Sequence, residues 1–456
     1  MNTQPIWDAI VVGGGVVGCA VLRELAVHRG WRCLLVEASS HLAAGASSGN
    51  TGIACMASDV SPGTLEHACL SDGEMLNLPT WQALNVPHRP GGSMYVGFND
   101  EDLAVLARDK DLRSERGDDR ATMLTASEAR AREPGLDASV AGALLLPGET
   151  VVDPWLVPLA YARHAHENGA TIRRATEVTA ATWGDGAWAL ELTSTNGGVR
   201  IGTQHEAARV VVACGGLRGD ALEGLHRQPP FAILPRRGDF VLFEPRARTL
   251  LGAMPIGQVP SATSRGVYVW TSVHGVVACG PTAEQVDERR TPPSATSEKV
   301  RAALRDAALT SVPRLADAEV IGTYAGLRPG SNVSTDYLIE RPAGSTWVSV
   351  GGIRSTGLTA ALGISRHVAD LCEGAWREGG GEGAAGEAPL PPAEVRTTPL
   401  PPVREIVASY AARADGSVVF GADEMDFGAH HVTHPLTAAG FDAQLSWGLR
   451  GASMRN

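Results

Sequence analysis

Apolar and polar positions alternate along this chain in two distinct styles. Between residues 8 and 37 the pattern reads as one βαβ unit. Asp-Ala-Ile-Val-Val is a short buried strand and Gly13 to Gly18 form a turn. Val17, Cys19, Ala20, Val21, Leu25 and Ala26 then recur at helical spacing up to Gly30, and Cys33-Leu-Leu-Val-Glu37 is a second strand. A helix is predicted over 156–168, stopped by Gly169, then a strand near 171–180, a polar hairpin and the apolar strand 210–214. Residues 230–280 instead alternate with period two through PRRGDFVLFE and VYVWTSVHGVVACG, which predicts an antiparallel sheet. Helical patterns over 101–113, 127–132 and 297–309 fill the middle, and Trp347-Val-Ser-Val-Gly followed by 357–372 reads as a βα pair returning to the first unit. GGGEGAAGEAPLPPAE is a linker, followed by a small module and a weakly ordered tail beyond Leu436.

Composition narrows the classes. A chain of 456 residues has length for two or three domains, and 44% hydrophobic content argues against disorder. The 53 glycines have no three-residue period, so a collagen-like rod is excluded. A net charge of −11 argues against nucleic-acid binding, and any bound anion must meet locally placed arginines. The seven cysteines (Cys19, Cys33, Cys55, Cys69, Cys214, Cys279, Cys372) form no CxxC pair, so neither a disulfide framework, a metal site nor an iron–sulfur spacing is expected, and a reducing, cytoplasmic location is. The apolar run 9–22 contains four glycines and is too short to span a bilayer, and no basic targeting segment precedes it.

Gly13-x-Gly15-x-x-Gly18 sits between the predicted strand and helix, with Glu37 closing the second strand. Gly13 permits the tight turn, Gly15 lets backbone approach a pyrophosphate, and Gly18 lets helix and strand pack closely. The helix N-terminus offers N–H groups to phosphate, and Glu37 is placed to take both ribose hydroxyls, which disfavours NADP. The motif alone does not separate FAD from NAD. The small-residue loop 44–52 that follows, AGASSGNTG, points to FAD, because it brings more donors to the pyrophosphate where an NAD domain runs directly into a helix.

DAIVVGGGVVGCAVLREL, LLVE, GASSGNTGIA, VVDPWLVPLAYARHAHENGA, ARVVVACGG, LPRRGDFVLF, VHGVVACGPTAEQVDER, TYAGLRPGSN and GGIRSTGLTAALGISRHV follow one another in that order. Together, over about residues 6–375, they resemble the D-amino-acid-oxidase-like FAD family. The likeness is to its branch of L-2-hydroxyglutarate dehydrogenases and anaerobic-type glycerol-3-phosphate dehydrogenase flavoprotein subunits. The resemblance implies an α/β fold: a discontinuous Rossmann-like FAD-binding domain (1–80, 147–228, 321–378) with an inserted α+β substrate domain on a mainly antiparallel sheet (81–146, 229–320). A linker over 379–395 and a C-terminal module over 396–456 follow. It implies FAD contacts at Gly13, Gly15, Val16, Val17, Gly18, Glu37 and Ala38, and at Ala46, Ser47, Ser48, Gly49, Asn50, Thr51, Gly52 and Ile53. Further contacts fall at Val178, at Ala213, Cys214 and Gly215, at Arg328, and at Gly352, Ile353, Arg354, Ser355, Thr356, Gly357, Leu358 and Thr359. The hydroxyglutarate branch carries Arg-Asn-Ser-Gly-x-x-His over the flavin. Here the stretch is Gly49-Asn-Thr-Gly-Ile-Ala-Cys55, without that arginine and histidine, and no cysteine follows Cys372 to form an iron–sulfur extension.

Oxidising an alcohol or amine beside an anionic group needs a cation for the anion, a fixed C–H bond and a proton acceptor. Arg328 and Arg354 are the expected anion-holding and catalytic arginines, with Arg236 and Arg237 as weaker candidates. His274, at a strand-to-turn position, is the expected base, set against an equally open structural role. His164 and His166 are expected on a solvated helix face, and His430 and His431 exposed in the appended module. The reading is an FAD-dependent dehydrogenase or oxidase of a small anionic alcohol, either a 2-hydroxy acid or a glycerol-3-phosphate-like compound. Its electron acceptor, whether oxygen, quinone or an electron-transfer protein, is not specified by the sequence. The alternatives are a glycine- or sarcosine-type amine oxidase of the same fold, and a non-catalytic flavin-binding subunit whose C-terminal module binds a protein partner.

Overall fold

The computed structural model of the protein describes residues 6–196, 199–261, 265–378, 389, 391–420 and 427–446. Most of the expected linker, and the tail beyond 446, lie outside the described residues. The first strand, Trp7–Val12, is apolar on both faces because it is central: it pairs in parallel with Cys33–Val36 on one side and with the end of Val199–Ala213 on the other. Thr171–Arg173 extends one edge and Trp347–Gly351, then antiparallel Leu338–Glu340, the other. The first half of Val199–Ala213 leaves this sheet and forms an antiparallel meander with Ala187–Asn196 and Thr176–Gly184.

Helices cover one face of the parallel sheet. Val16–Arg23 continues through a π-turn at Glu24–His28, and beside it lie Leu65–Ala83, Leu156–Glu167 and Gly357–Glu378. Their apolar residues form one continuous core with the sheet. Gly73 and Gly363 let Leu65–Ala83 and Gly357–Glu378 cross at close range, since a Cβ on either would fall within 2.2 Å of backbone oxygen on the other helix.

The second sheet has nine strands, antiparallel except where Ile256–Gln258 runs parallel to Ser93–Gly97. Its backbone is the pairing of Ile233–Phe243 with Val320–Ser331, in which Arg236 stands directly across from Arg328. The domain boundary expected at 321 is therefore corrected: 320–331 belongs to the substrate sheet, because its polar–apolar alternation finds a hydrogen-bonding partner there. The helix Glu298–Ser311, capped by the Ser297 side chain, covers one face of this sheet.

The C-terminal residues are not a detached module. Val403–Ala411 and Pro435–Ser446 bury Ile406, Val407 and Phe441 in the main helical core, where the Phe441 ring meets Trp155 edge-on at 6.4 Å. The segment beyond Leu436, expected to be weakly ordered, is this second helix as far as Ser446. Among the described residues no helix is long and apolar enough to cross a membrane.

The loop that follows the second strand meets the second sheet backbone to backbone. A Cβ on Gly326 would lie 1.7 Å from the carbonyl oxygen of Gly49, and one on Gly49 2.5 Å from Cα of Gly326. Gly326→Ala is therefore expected to lower stability by about 1–3 kcal/mol, seen as a reduced Tm, because neither backbone can yield without moving its sheet. Gly202→Ala, where an added Cβ meets nothing within 4 Å, is the control expected to leave Tm unchanged.

Candidate active site

A cleft of about 1290 Å³ opens where the parallel strands end, lined by Val12, Val36, Cys214 and Gly351, and runs on to the face of the second sheet. Ligand crevices at the carboxyl ends of α/β strands are the rule, and this one exceeds the ~300–1,000 Å³ of ordinary small-molecule pockets. At its near end the glycine turn leaves no room for side chains. Gly13 has φ +111°, a Cβ there would lie 2.3 Å from the carbonyl oxygen of Cys214, and one on Gly18 would lie 1.9 Å from that of Gly13. The helix that follows has Gly15 as N-cap without a side-chain cap bond, and the Val16 N–H donates to Ser47 Oγ at 3.0 Å. Glu37 accepts from the N–H groups of Gly14 and Ser39, both at 2.6 Å, and burial raises its pKa against those two bonds.

Most of the expected cofactor contacts do line this cleft: Gly13, Gly15, Val16, Val17, Gly18, Glu37 and Ala38; Ala46, Ser47, Gly49, Asn50, Thr51 and Ile53; Val178; Cys214 and Gly215; Arg328; and Gly352–Ser355, Gly357 and Leu358. Ser48, Gly52, Ala213, Thr356 and Thr359 stand behind the wall instead. Ser48 bonds back to the carbonyls of Ala44 and Gly45, and Gly52 (φ +65°) packs on the carbonyl of Val152. Ala213 ends its strand, Thr356 Oγ1 donates to Glu66, and Thr359 Oγ1 accepts from the Cys55 N–H at 3.0 Å.

The far end is cationic. Arg236, Arg265 and Arg328 all line it. Asp59, whose side chain is only 3% exposed, holds Arg113 and Arg265 at 2.6 Å on its two oxygens. Arg328 donates only to the backbone carbonyls of Arg237 and Thr282, at 3.4 and 3.3 Å, and has no carboxylate partner among the described residues. Burial and the charges of Arg236 and Arg265 lower its pKa to about 10, which leaves it cationic at neutral pH. Arg354 lines the cleft too, but its guanidinium is paired with the buried Glu66. Arg237 is occupied by Asp239 at 2.6 Å and by Glu288.

The family described as DAO, FAD dependent oxidoreductase, matches residues 8–371. The chain belongs to this family. It is 28% identical to a glycerol 3-phosphate dehydrogenase of Caloramator mitchellensis over 369 residues, 80% of this chain and 74% of that protein. It is 26% identical to a mitochondrial L-2-hydroxyglutarate dehydrogenase of Nematostella vectensis, over 61% of this chain and 62% of that one. Among solved structures, the dithionite-reduced L-alpha-glycerophosphate oxidase of Mycoplasma pneumoniae with FAD bound matches at TM-score 0.71 and 26% identity, covering 81% of this chain and 95% of that one. FAD is thus the cofactor of this oxidoreductase. The bare glycine turn, the uncapped helix N-terminus and the adjacent hydroxyl of Ser47 fit a dinucleotide diphosphate.

Several expected placements of histidines in this flavoprotein are corrected. His274 is 2% exposed and does not line the cleft: its Nε2 bonds Asp153 at 2.5 Å and its Nδ1 accepts from Gln444 Nε2 at 3.1 Å. The C-terminal helix covers that turn, so the imidazole faces Asp153 and not a substrate. His164 is buried and takes a 3.0 Å bond from Arg23 Nε, since its helix is enclosed on nearly every face. His430 is buried as well, while His431 is exposed as expected. Cys55 is a buried thiol, its pKa pushed up to about 11 chiefly by burial, which makes it a poor nucleophile.

Sequence reasoning missed Gly14, whose added Cβ would lie 2.6 Å from Leu42, although it stands inside the glycine triplet. It also missed Asp59, Glu66, Arg113, Glu149 and Arg265, which no shared motif links, and it missed His434. That imidazole is fully buried and its Nε2 accepts from the Asn50 N–H at 3.1 Å, while Thr433 Oγ1 donates to the carbonyl of Ala43 at 3.1 Å. The C-terminal segment thereby braces the cofactor loop.

His434 must be neutral to accept that bond, and burial lowers its pKa to about 4. The unfolded chain, with an ordinary histidine near ~6.5, then binds more protons than the native one between these values, so stability falls as pH drops through that window. His164 and His430, lowered by burial to about 4 and about 3, act in the same direction. Tm is expected to fall steadily from pH 7 to 5, and His434→Gln is expected to flatten the slope, with on the order of 2 kcal/mol at stake for this residue over that window.

Proposed function

We propose that this oxidoreductase converts a small anionic alcohol, of the glycerol 3-phosphate or 2-hydroxy-acid kind, to its carbonyl compound. The observation that carries the reading is Arg328, a buried cation on the cleft wall without a carboxylate partner among the described residues, directly across the strand pair from Arg236. A phosphate or carboxylate at Arg328 would pair that charge, and a guanidinium offers it two parallel hydrogen bonds. The Asp59-bound Arg265 adds a second cation whose position is already fixed.

Bound FAD supplies the two-electron acceptor. The protein's residues supply the rest: Arg328 and Arg265 hold the anion, and the sheet face carrying Tyr95 and Tyr268 walls off the carbon end of the substrate. Arg354, pinned by Glu66, lines the same cleft with its guanidinium fixed. The names of the relatives support an alcohol over an amine as the reducing substrate, and the arginines support an anion of either sort.

Anaerobic mixing of the FAD-loaded protein with glycerol 3-phosphate or L-2-hydroxyglutarate is expected to bleach the flavin, while glycine and sarcosine leave it oxidised. The reverse pattern would replace this reading with an amine oxidase. Arg328→Met is expected to raise the KM of the active alcohol roughly 10–100-fold, the loss of a charged hydrogen bond of ~1.5–3 kcal/mol. FAD affinity should stay the same, and Arg328→Lys should recover part of the loss.

A further inference from the structure

Removing a C–H hydrogen from an alcohol leaves an O–H proton to be taken, and the usual acceptor is absent. Among the described residues no histidine lines the cleft. The carboxylates that do are, with one exception, each held by an arginine or by backbone amides. Glu37 is held by two amides, Asp59 by Arg113 and Arg265, and Glu66 by Arg354 and Thr356. Asp336 is held by the amides of Leu65 and Glu66, Asp109 by Arg113 and Glu177 by Arg218.

The exception is Glu149. Its side chain is 3% exposed, it lines the cleft, it has no arginine partner, and its Oε2 has no hydrogen-bond partner. Its place is set by the short antiparallel pair in which Ile53 faces Val151 and Ala54 faces Thr150, so the next step of the register brings Glu149 beside Cys55, at the end of the cofactor loop. Its backbone carbonyl is tied to the Gly92 N–H at 3.0 Å, which fixes the turn that carries it. A buried carboxylate oxygen without a hydrogen-bond partner is unfavourable, most of all when charged, and so calls for a role.

We propose that Glu149 is the catalytic base that receives the alcohol's hydroxyl proton. The assignment rests on the alcohol reading given above. In the step, the hydroxyl O–H bond breaks with its proton going to the Glu149 carboxylate, the C–H bond breaks with its hydrogen and both electrons leaving as a hydride that bound FAD would accept, and the C=O bond forms. The products are the carbonyl compound, reduced flavin and protonated Glu149, whose proton then leaves to solvent.

The surrounding charges suit the task. Asp59 raises the affinity of Glu149 for a proton, and the Ser93 hydroxyl, Arg265 and Arg113 lower it, while Tyr95 and Tyr268 contribute neutral phenols held protonated by burial. Burial is the largest influence, and the balance stands at about 7, so the carboxylate is ionised and ready above neutrality and protonated below it. A base tuned close to the working pH combines availability with proton affinity, and general-base removal of this kind contributes typically ~10²–10⁴-fold.

The test is stopped-flow flavin reduction by glycerol 3-phosphate and by L-2-hydroxyglutarate across pH, in wild type, Glu149→Gln and Glu149→Asp. Wild-type reduction is expected to rise with pH to a plateau through a midpoint of about 7. Glu149→Gln is expected to be ~10²–10⁴-fold slower and to lack that midpoint, with FAD affinity unchanged, and Glu149→Asp to be slower but to keep a pH-dependent rise. An independent readout is the infrared band of a protonated carboxyl group, which should titrate near neutrality in the substrate-free wild type and vanish in Glu149→Gln. Wild-type rates and an unchanged midpoint in Glu149→Gln would overturn the assignment while leaving the alcohol reading intact. A wild-type flavin that neither compound reduces would overturn that reading and the assignment with it.

Discussion

The approach of Gly49 to Gly326 is the contact on which the rest of this protein depends. One glycine belongs to the loop that follows the second strand of the nucleotide sheet, the other to the long strand that carries Arg328 in the substrate sheet. With no side chain on either, the loop lies directly on the sheet, and the cofactor end and the anion end of the cleft become one space. The neighbours reinforce the junction: the Tyr324 hydroxyl donates to the Asn50 carbonyl at 3.0 Å, and His434 accepts from the Asn50 N–H. A single residue of the loop is therefore held on one side by the substrate sheet and on the other by the C-terminal segment.

Electrostatics follow from that closure. A chain of net charge −11 gathers arginines into the cleft and neutralises most of them there: Asp59 takes Arg113 and Arg265, and Glu66 takes Arg354. Each pair fixes its guanidinium in place, and on the acidic side each side chain is covered enough to resist screening. Arg328 has no carboxylate partner among the described residues, which is what supports the proposed place for an anionic group. The buried histidines work the other way. Held neutral by burial, they add no charge to the site and act as hydrogen-bond acceptors and packing surfaces.

What was legible in the sequence was local or periodic. The glycine turn, the apolar strands and the Gly169 helix stop are written within a dozen residues each, and their spacing reports backbone geometry directly. The period-two stretch around 230–280 likewise disclosed the antiparallel sheet, but its strand 320–331 went to the wrong domain because pairing across eighty residues leaves no local trace. Glu149, Asp59 and Arg265 meet only in space, so no motif announced them. His274 illustrates the converse: a histidine in a turn looks available until the C-terminal helix, 160 residues later, is found lying over it. His434 was hidden for the same reason, in a segment whose composition suggested a tail.

The junction at the cofactor loop can be tested directly by hydrogen–deuterium exchange of the full-length protein with and without saturating FAD. If the loop couples the nucleotide sheet, the substrate sheet and the C-terminal segment, FAD will slow exchange at 13–18 and 351–358 and equally at 44–54, 320–331 and 427–446. Slowing confined to the glycine turn and the 351–358 loop, with 427–446 exchanging at the same rate in both states, would contradict the account.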